Sequence, residues 1–162
     1  MKKLIIITLG CILGALFLAC NTSNKLGAHY TYETECMGTE LDGSYTLKAW
    51  GVGRNIVDAR EQARKNAVRD VIFKGISKGK EGCEIKPILF ELNAYDKYRD
   101  YFNKFFADHG AFEKFVNYKD KRAGSSAKTR QRTDAEVKYG VIVRVKRAEL
   151  REKLIQDNIL KP

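Results

Sequence analysis

Few side chains in this sequence could do chemistry. There are two histidines, His29 and His109, and neither has a partner at the His-x3-His or Cys-x2-Cys spacing that holds a metal. Four cysteines stand at 11, 20, 36 and 83, too far apart for a Cys-x-x-Cys redox pair. Ser44, Ser77, Ser125 and Ser126 lie in no Gly-x-Ser-x-Gly elbow. The run Gly51-Val52-Gly53-Arg54-Asn55 begins like a phosphate-cradling loop, but it lacks the third glycine and the Lys-Ser/Thr of a P-loop. Glu33 and Glu35 could form a carboxylate pair, yet nothing near them marks a cleft for a glycoside. The expectation is a protein with no enzymatic activity, no cofactor and no metal.

The cysteines point instead to acylation and cross-linking. Lys2 and Lys3 precede an almost unbroken apolar stretch from Leu4 to Ala19. About 16 residues is short of the roughly 20 that span a bilayer and fits the apolar core of a signal peptide. The stretch ends in Phe17-Leu18-Ala19-Cys20, which resembles the lipobox of bacterial lipoproteins. That resemblance implies cleavage before Cys20 and acyl chains, palmitate among them, on the new N-terminus. Cys11 is the poorer candidate, because cleavage there would leave residues 12–19 exposed. Asn21 replaces the Asp of inner-membrane retention, which favours the outer membrane. The expected organisation is a signal peptide over 1–19, a lipidated tether over 20–28 and one domain over 29–162, facing the periplasm. Cys36 and Cys83 then remain in an oxidising compartment. Paired, they would close a loop of about 48 residues, worth about 4 kcal/mol in the chain-entropy model. The alternative is two unpaired thiols.

The elements that must position these residues follow from periodicity. Residues 30–37 form a first strand. In residues 44–53, Tyr45, Leu47 and Ala49 alternate with Thr46, Lys48 and Trp50, and Gly51 and Gly53 turn the chain. Asn55 can cap a helix over 56–76, whose Ile56, Ala59, Ala63, Ala67 and Val71 make one apolar face. Arg60, Glu61, Arg64, Lys65 and Arg69 fall on its wet side, with Glu61 and Lys65 spaced as an ion pair. A helix over 94–107 carries an aromatic-rich insert that extends over 88–115. Strands follow near 115–122, 127–133 and 136–147, with Val137, Tyr139, Val141, Val143 and Val145 turned to the core, and a helix over 148–160 closes the chain. The expected class is α+β, an antiparallel sheet of about four to five strands packed on two to three helices.

Charge and aromatics add two candidate surfaces. The net charge is +10, and residues 114–153 alone hold 13 basic against 5 acidic residues. Lys128, Arg130 and Arg132 alternate along one strand, and Lys138, Arg144 and Lys146 along the next. Together they would make a cationic sheet face that serves as a solvated edge or binds an anionic partner. Nucleic acid is the usual partner of such a balance, and export argues against it. The cluster Tyr95, Tyr98, Tyr101, Phe102, Phe105 and Phe106 reads either as core or as a docking patch.

The segment AWGVGRNIVDAREQARKNAVRDVIFKGI resembles the N-terminal domain of the flagellar assembly protein FlgT and related small outer-membrane lipoproteins. The resemblance rests on Ala49, Gly51, Gly53, Ala59, Arg60, Ala63 and Ala67. In architecture the chain is also similar to the lipoprotein subunit (TssQ) of the Bacteroidota-type type VI secretion system. Both resemblances imply a non-catalytic part of an envelope machine, held to the membrane by lipid and in contact with other envelope subunits. The second expectation is a module that links the outer membrane to peptidoglycan or anionic lipid through the basic face.

Overall fold

The computed structural model describes residues 33–119, 130–132 (backbone alone) and 136–161. They form an α+β fold. Its strands are β1 Glu35–Thr39, β2 Tyr45–Gly53, β3 Lys78–Gly79, β4 Val116–Tyr118, β5 Arg130–Arg132 and β6 Val137–Val145. Its helices are α1 Ile56–Arg69, α2 Ala94–Lys97, α3 Arg99–Phe105 and α4 Arg147–Gln156. The sheet order is β3-β1-β2-β6, with β4 and β5 both on the outer edge of β6. The sheet thus has six strands rather than four or five, and β3 is parallel to β1. The chain reaches β3 from β2 through α1 and runs opposite to β2, so β3 lies parallel to its neighbour β1.

The centre of the sheet is β2 on β6, in unbroken register from Tyr45 opposite Val145 to Gly53 opposite Val137. The expected alternation holds: Leu47, Ala49, Val141, Val143 and Val145 are buried on one face. The helix α1 lies across that face, with Ala59, Ala63, Ala67 and Val68 inaccessible to solvent. Its start is fixed where Asp58 N–H donates to the Asn55 side chain at 3.0 Å. Gly51 and Gly53 do not turn the chain; they belong to β2 and let α1 approach. A Cβ on Gly51 would stand 2.1 Å from the Ala59 carbonyl oxygen and 2.3 Å from the Ala63 nitrogen.

The α-helix ends at Arg69, short of the expected residue 76, and passes into a π-helical turn, Asp70–Lys74. Gly75, at φ 74°, closes it with an N–H donated to the Asp70 carbonyl at 2.7 Å. The wider turn leaves the Val71 and Ile72 carbonyls to accept from Ile88 and Leu89 at 3.1 and 2.8 Å, which fastens the insert to the end of α1. The helix expected over 94–107 is broken at Tyr98, between α2 and α3. The strand expected over 115–122 is shorter, because a 3-10 turn occupies Ala111–Phe115 and β4 runs only to Tyr118. The last helix stops at Gln156, where Ile159 and Leu160 both donate to the Leu154 carbonyl. Among the described residues no helix is long and apolar enough to cross a membrane.

The close approach of α1 generates a prediction. Gly51→Ala sets its methyl against backbone atoms that cannot rotate away, so it should destabilise the domain by about 3 kcal/mol or more in urea unfolding. Gly38→Ala, with open space around its Cβ, should change stability by less than about 0.5 kcal/mol.

Candidate functional site

Cys20 lies outside the described residues. Cys36 and Cys83 lie within disulfide distance, their Cα atoms 5.8 Å apart and both side chains buried. The approach is built by β1 and β3, where Cys36 is in register with Gly79. A Cβ on Gly79 would fall 2.1 Å from the Cys36 carbonyl oxygen. The 80–83 turn, in which Cys83 N–H donates to the Lys80 carbonyl at 3.1 Å, then carries Cys83 back to Cys36. Purified without reductant, the protein should show no free thiol at either position. Reduction, or Cys83→Ala with Cys36→Ala, should cost about 4 kcal/mol of unfolding free energy.

The expected cationic face does not form as one surface. Arg130 and Arg132 are in register with Tyr139 and Val137, while Lys138 and Arg144 occupy the alternate positions of β6. Lys128 lies outside the described residues. Lys138, expected on the solvent face, is only 3% exposed. Its ammonium lies 5.5 Å from the Trp50 ring, and Lys48 lies 5.2 Å from the same ring. Trp50 in turn covers Gly140, where a Cβ would touch the indole at 3.0 Å.

Among the described residues, three cations near this edge are matched by acids of the β1–β2 turn and of α4. Arg144 donates to Asp42 at 2.7 Å and to the Ser44 hydroxyl at 2.5 Å. The Ser44 hydroxyl itself donates to Asp42 at 2.6 Å, and that bond, followed by the one from Arg144, holds the Asp42 carboxyl well below the usual carboxylate range. Lys119 pairs with Glu40, which also accepts from Thr46 at 2.8 Å. Lys146 pairs with Glu149 at 3.0 Å.

Desolvation lowers the Lys138 ammonium from 10.5 to about 8. An amine whose pKa is depressed by folding binds fewer protons folded than unfolded in that window. Stability therefore rises with pH between about 8 and 10.5. Wild type should gain up to about 1 kcal/mol per pH unit relative to Lys138→Met across this window, read from paired chemical denaturations.

The aromatic insert is largely core. Phe102, Phe105 and Phe106 are buried, and Tyr95, Tyr98 and Tyr101 are partly so. Phe102 is the hub, 4.7 Å from Phe73, 5.1 Å from Tyr101 and 5.9 Å from Tyr95 between ring centroids. The Tyr101 hydroxyl donates to Asp157 at 2.6 Å and ties the insert to the end of α4. Burial, reinforced by that carboxylate, raises the Tyr101 phenol. The supposed wet side of α1 covers these rings: Arg60 lies 4.6 Å over Tyr118, Arg64 5.7 Å over Phe112 and Arg69 5.2 Å over Phe106. Glu61 accordingly pairs with Arg64 at 2.8 Å, and Lys65 turns to Asp108 at 2.7 Å.

A concavity lies at each end of α1. A groove of about 680 Å³ runs beside the start of α1 past Val52 to His109. Its acids are ion-paired, Asp58 with Arg54 at 3.6 Å and Asp108 with Lys65. His109 is exposed beside Glu113, 3.6 Å away. His29 lies outside the described residues. Among the described residues no cluster of three or more His, Cys, Asp or Glu could hold a metal ion.

The second concavity, about 440 Å³, is a mostly apolar corner lined by Arg69, Asp70, Phe73, Lys74 and Tyr95. Thr34, near the first described residue, donates its hydroxyl to Asp70. Burial raises the Asp70 carboxyl against the opposing pull of that bond. The corner was not foreseen from the sequence. The signal for it is an acid set directly before the apolar run Val71-Ile72-Phe73, with two large apolar residues, Phe90 and Leu92, beyond. Searches against family models, curated proteins and solved structures found no match to this chain.

Proposed function

We propose that this chain is a non-enzymatic outer-membrane lipoprotein, facing the periplasm, that acts as an assembly or stabilising subunit of an envelope-spanning secretion complex. The observation that carries the reading is the apolar run ending at Ala19-Cys20. Support comes from Cys36 and Cys83, which are buried and within disulfide distance, as suits an oxidising compartment. Two or three acyl chains at about 0.8 kcal/mol per buried CH2 would hold the domain stably. Confinement raises the effective concentration of a membrane partner without any new contact. The second reading, a link to peptidoglycan or anionic lipid through the basic face, loses ground because Arg144, Lys119 and Lys146 are each matched by an acid.

The test is affinity purification from membranes through a C-terminal tag, comparing wild type with Cys20→Ala by mass spectrometry. Wild type should carry acyl chains on Cys20 and bring down other envelope proteins in stoichiometric amount, and Cys20→Ala should lose both. A protein that is acylated but comes down alone overturns the subunit reading.

A further inference from the structure

The described residues leave four large apolar side chains exposed: Leu41, Val57, Phe90 and Leu92. Phe90 and Leu92 stand close together in the chain, at 71% and 91% exposure. Neither lines the corner described above, but the backbone on both sides of them is fastened beside it. Leu89 N–H is bonded to the Ile72 carbonyl at 2.8 Å on one side, and the Tyr95 ring packs 5.7 Å from Phe73 on the other. Arg69 and Lys74, both exposed, line the same corner. Thr34, bonded to Asp70, fixes the entry of the N-terminal chain there. Apolar tips beside a pair of cations suit the boundary between acyl chains and anionic head groups.

We infer that the exposed Phe90 and Leu92, with the neighbouring corner of Phe73 and Tyr95, are the face this domain lays on the lipid bilayer. The inference rests on the anchored reading. Twelve residues, 21–32, separate Cys20 from Glu33. Fully extended, that many residues reach at most about 40 Å, and they join the described fold at Glu33, next to the Thr34–Asp70 bond. This corner is therefore where the chain from Cys20 joins the domain, the part of the domain attached closest to the anchor. Leu41 lies in the turn at the far end of β1, so its exposed apolar side chain faces away from the anchor.

The test uses the full acylated protein in vesicles of phosphatidylethanolamine and phosphatidylglycerol with brominated acyl chains. Trp50 is the only native tryptophan and supplies the baseline. In Phe90→Trp, the added emission should lose roughly half its intensity in brominated vesicles, as expected for a side chain at the acyl boundary. Leu41→Trp should behave like the baseline. Equal quenching at positions 90 and 41 overturns the inference, as does emission from position 90 that is blue-shifted but unquenched, which would mean that protein covers the corner. Intact mass on the same sample separates the two levels: a chain without acyl groups on Cys20 overturns the anchored reading itself, and this inference with it.

Discussion

The contact of α1 with the centre of the sheet is the constraint on which the rest of the structure depends. Two glycines on β2 face the Ala59–Ala63 stretch of α1, and the absence of a Cβ at Gly51 and Gly53 is what lets the helix lie against backbone. A helix this close is held along its length by packing that cannot slide, because interiors are close-packed and a methyl group is already too much. Asn55 fixes its start and the π turn at Asp70–Lys74 marks its end. Asn66 adds a lateral tie, donating to the Trp50 carbonyl at 2.8 Å.

With α1 seated, both of its flanks become working surfaces. The alanine stripe meets the sheet, and the arginines beside it lie over the rings of the insert. An Arg guanidinium over an aromatic face keeps its charge near water while its stem covers apolar area. That is how a sequence rich in cations builds a core from residues that look solvent-facing. The π turn extends the logic, since its spare carbonyls receive Ile88 and Leu89. The insert is thereby attached to the same helix end where Thr34 meets Asp70. Entry of the chain, end of α1 and start of the insert converge on one corner.

Elements with a strong local period were legible in the sequence. The alternation of β2 and β6, the alanine face of α1, the Asn55 cap and the α+β class all follow from residue spacing. What depends on partners distant in the chain was not. Lys138 alternates as a solvent-facing residue should, yet its neighbours across the sheet bury it with Trp50. Glu61 and Lys65 have helix-pair spacing, yet Asp108 competes successfully for the lysine. The two-residue β3 carries no periodicity at all, and its place beside β1 becomes visible only through the approach of Cys83 to Cys36. The aromatic cluster was correctly located, but whether rings form core or interface depends on what covers them, and the covering side chains come from α1.

The charge distribution bears on how such a domain finds its place. Basic residues outnumber acidic ones in the C-terminal third, but the acids that answer them come from the β1–β2 turn and from α4: Asp42 for Arg144, Glu40 for Lys119 and Glu149 for Lys146. Exposed pairs of this kind contribute little to stability and are screened by salt, yet each one cancels a charge that would otherwise attract an anionic surface from a distance. The pairing is local: the chain keeps a net charge of +10, so long-range attraction toward anionic surfaces persists and is set by the cations these acids do not answer. Under the anchored reading proposed above, acyl chains on Cys20 would add confinement to that attraction.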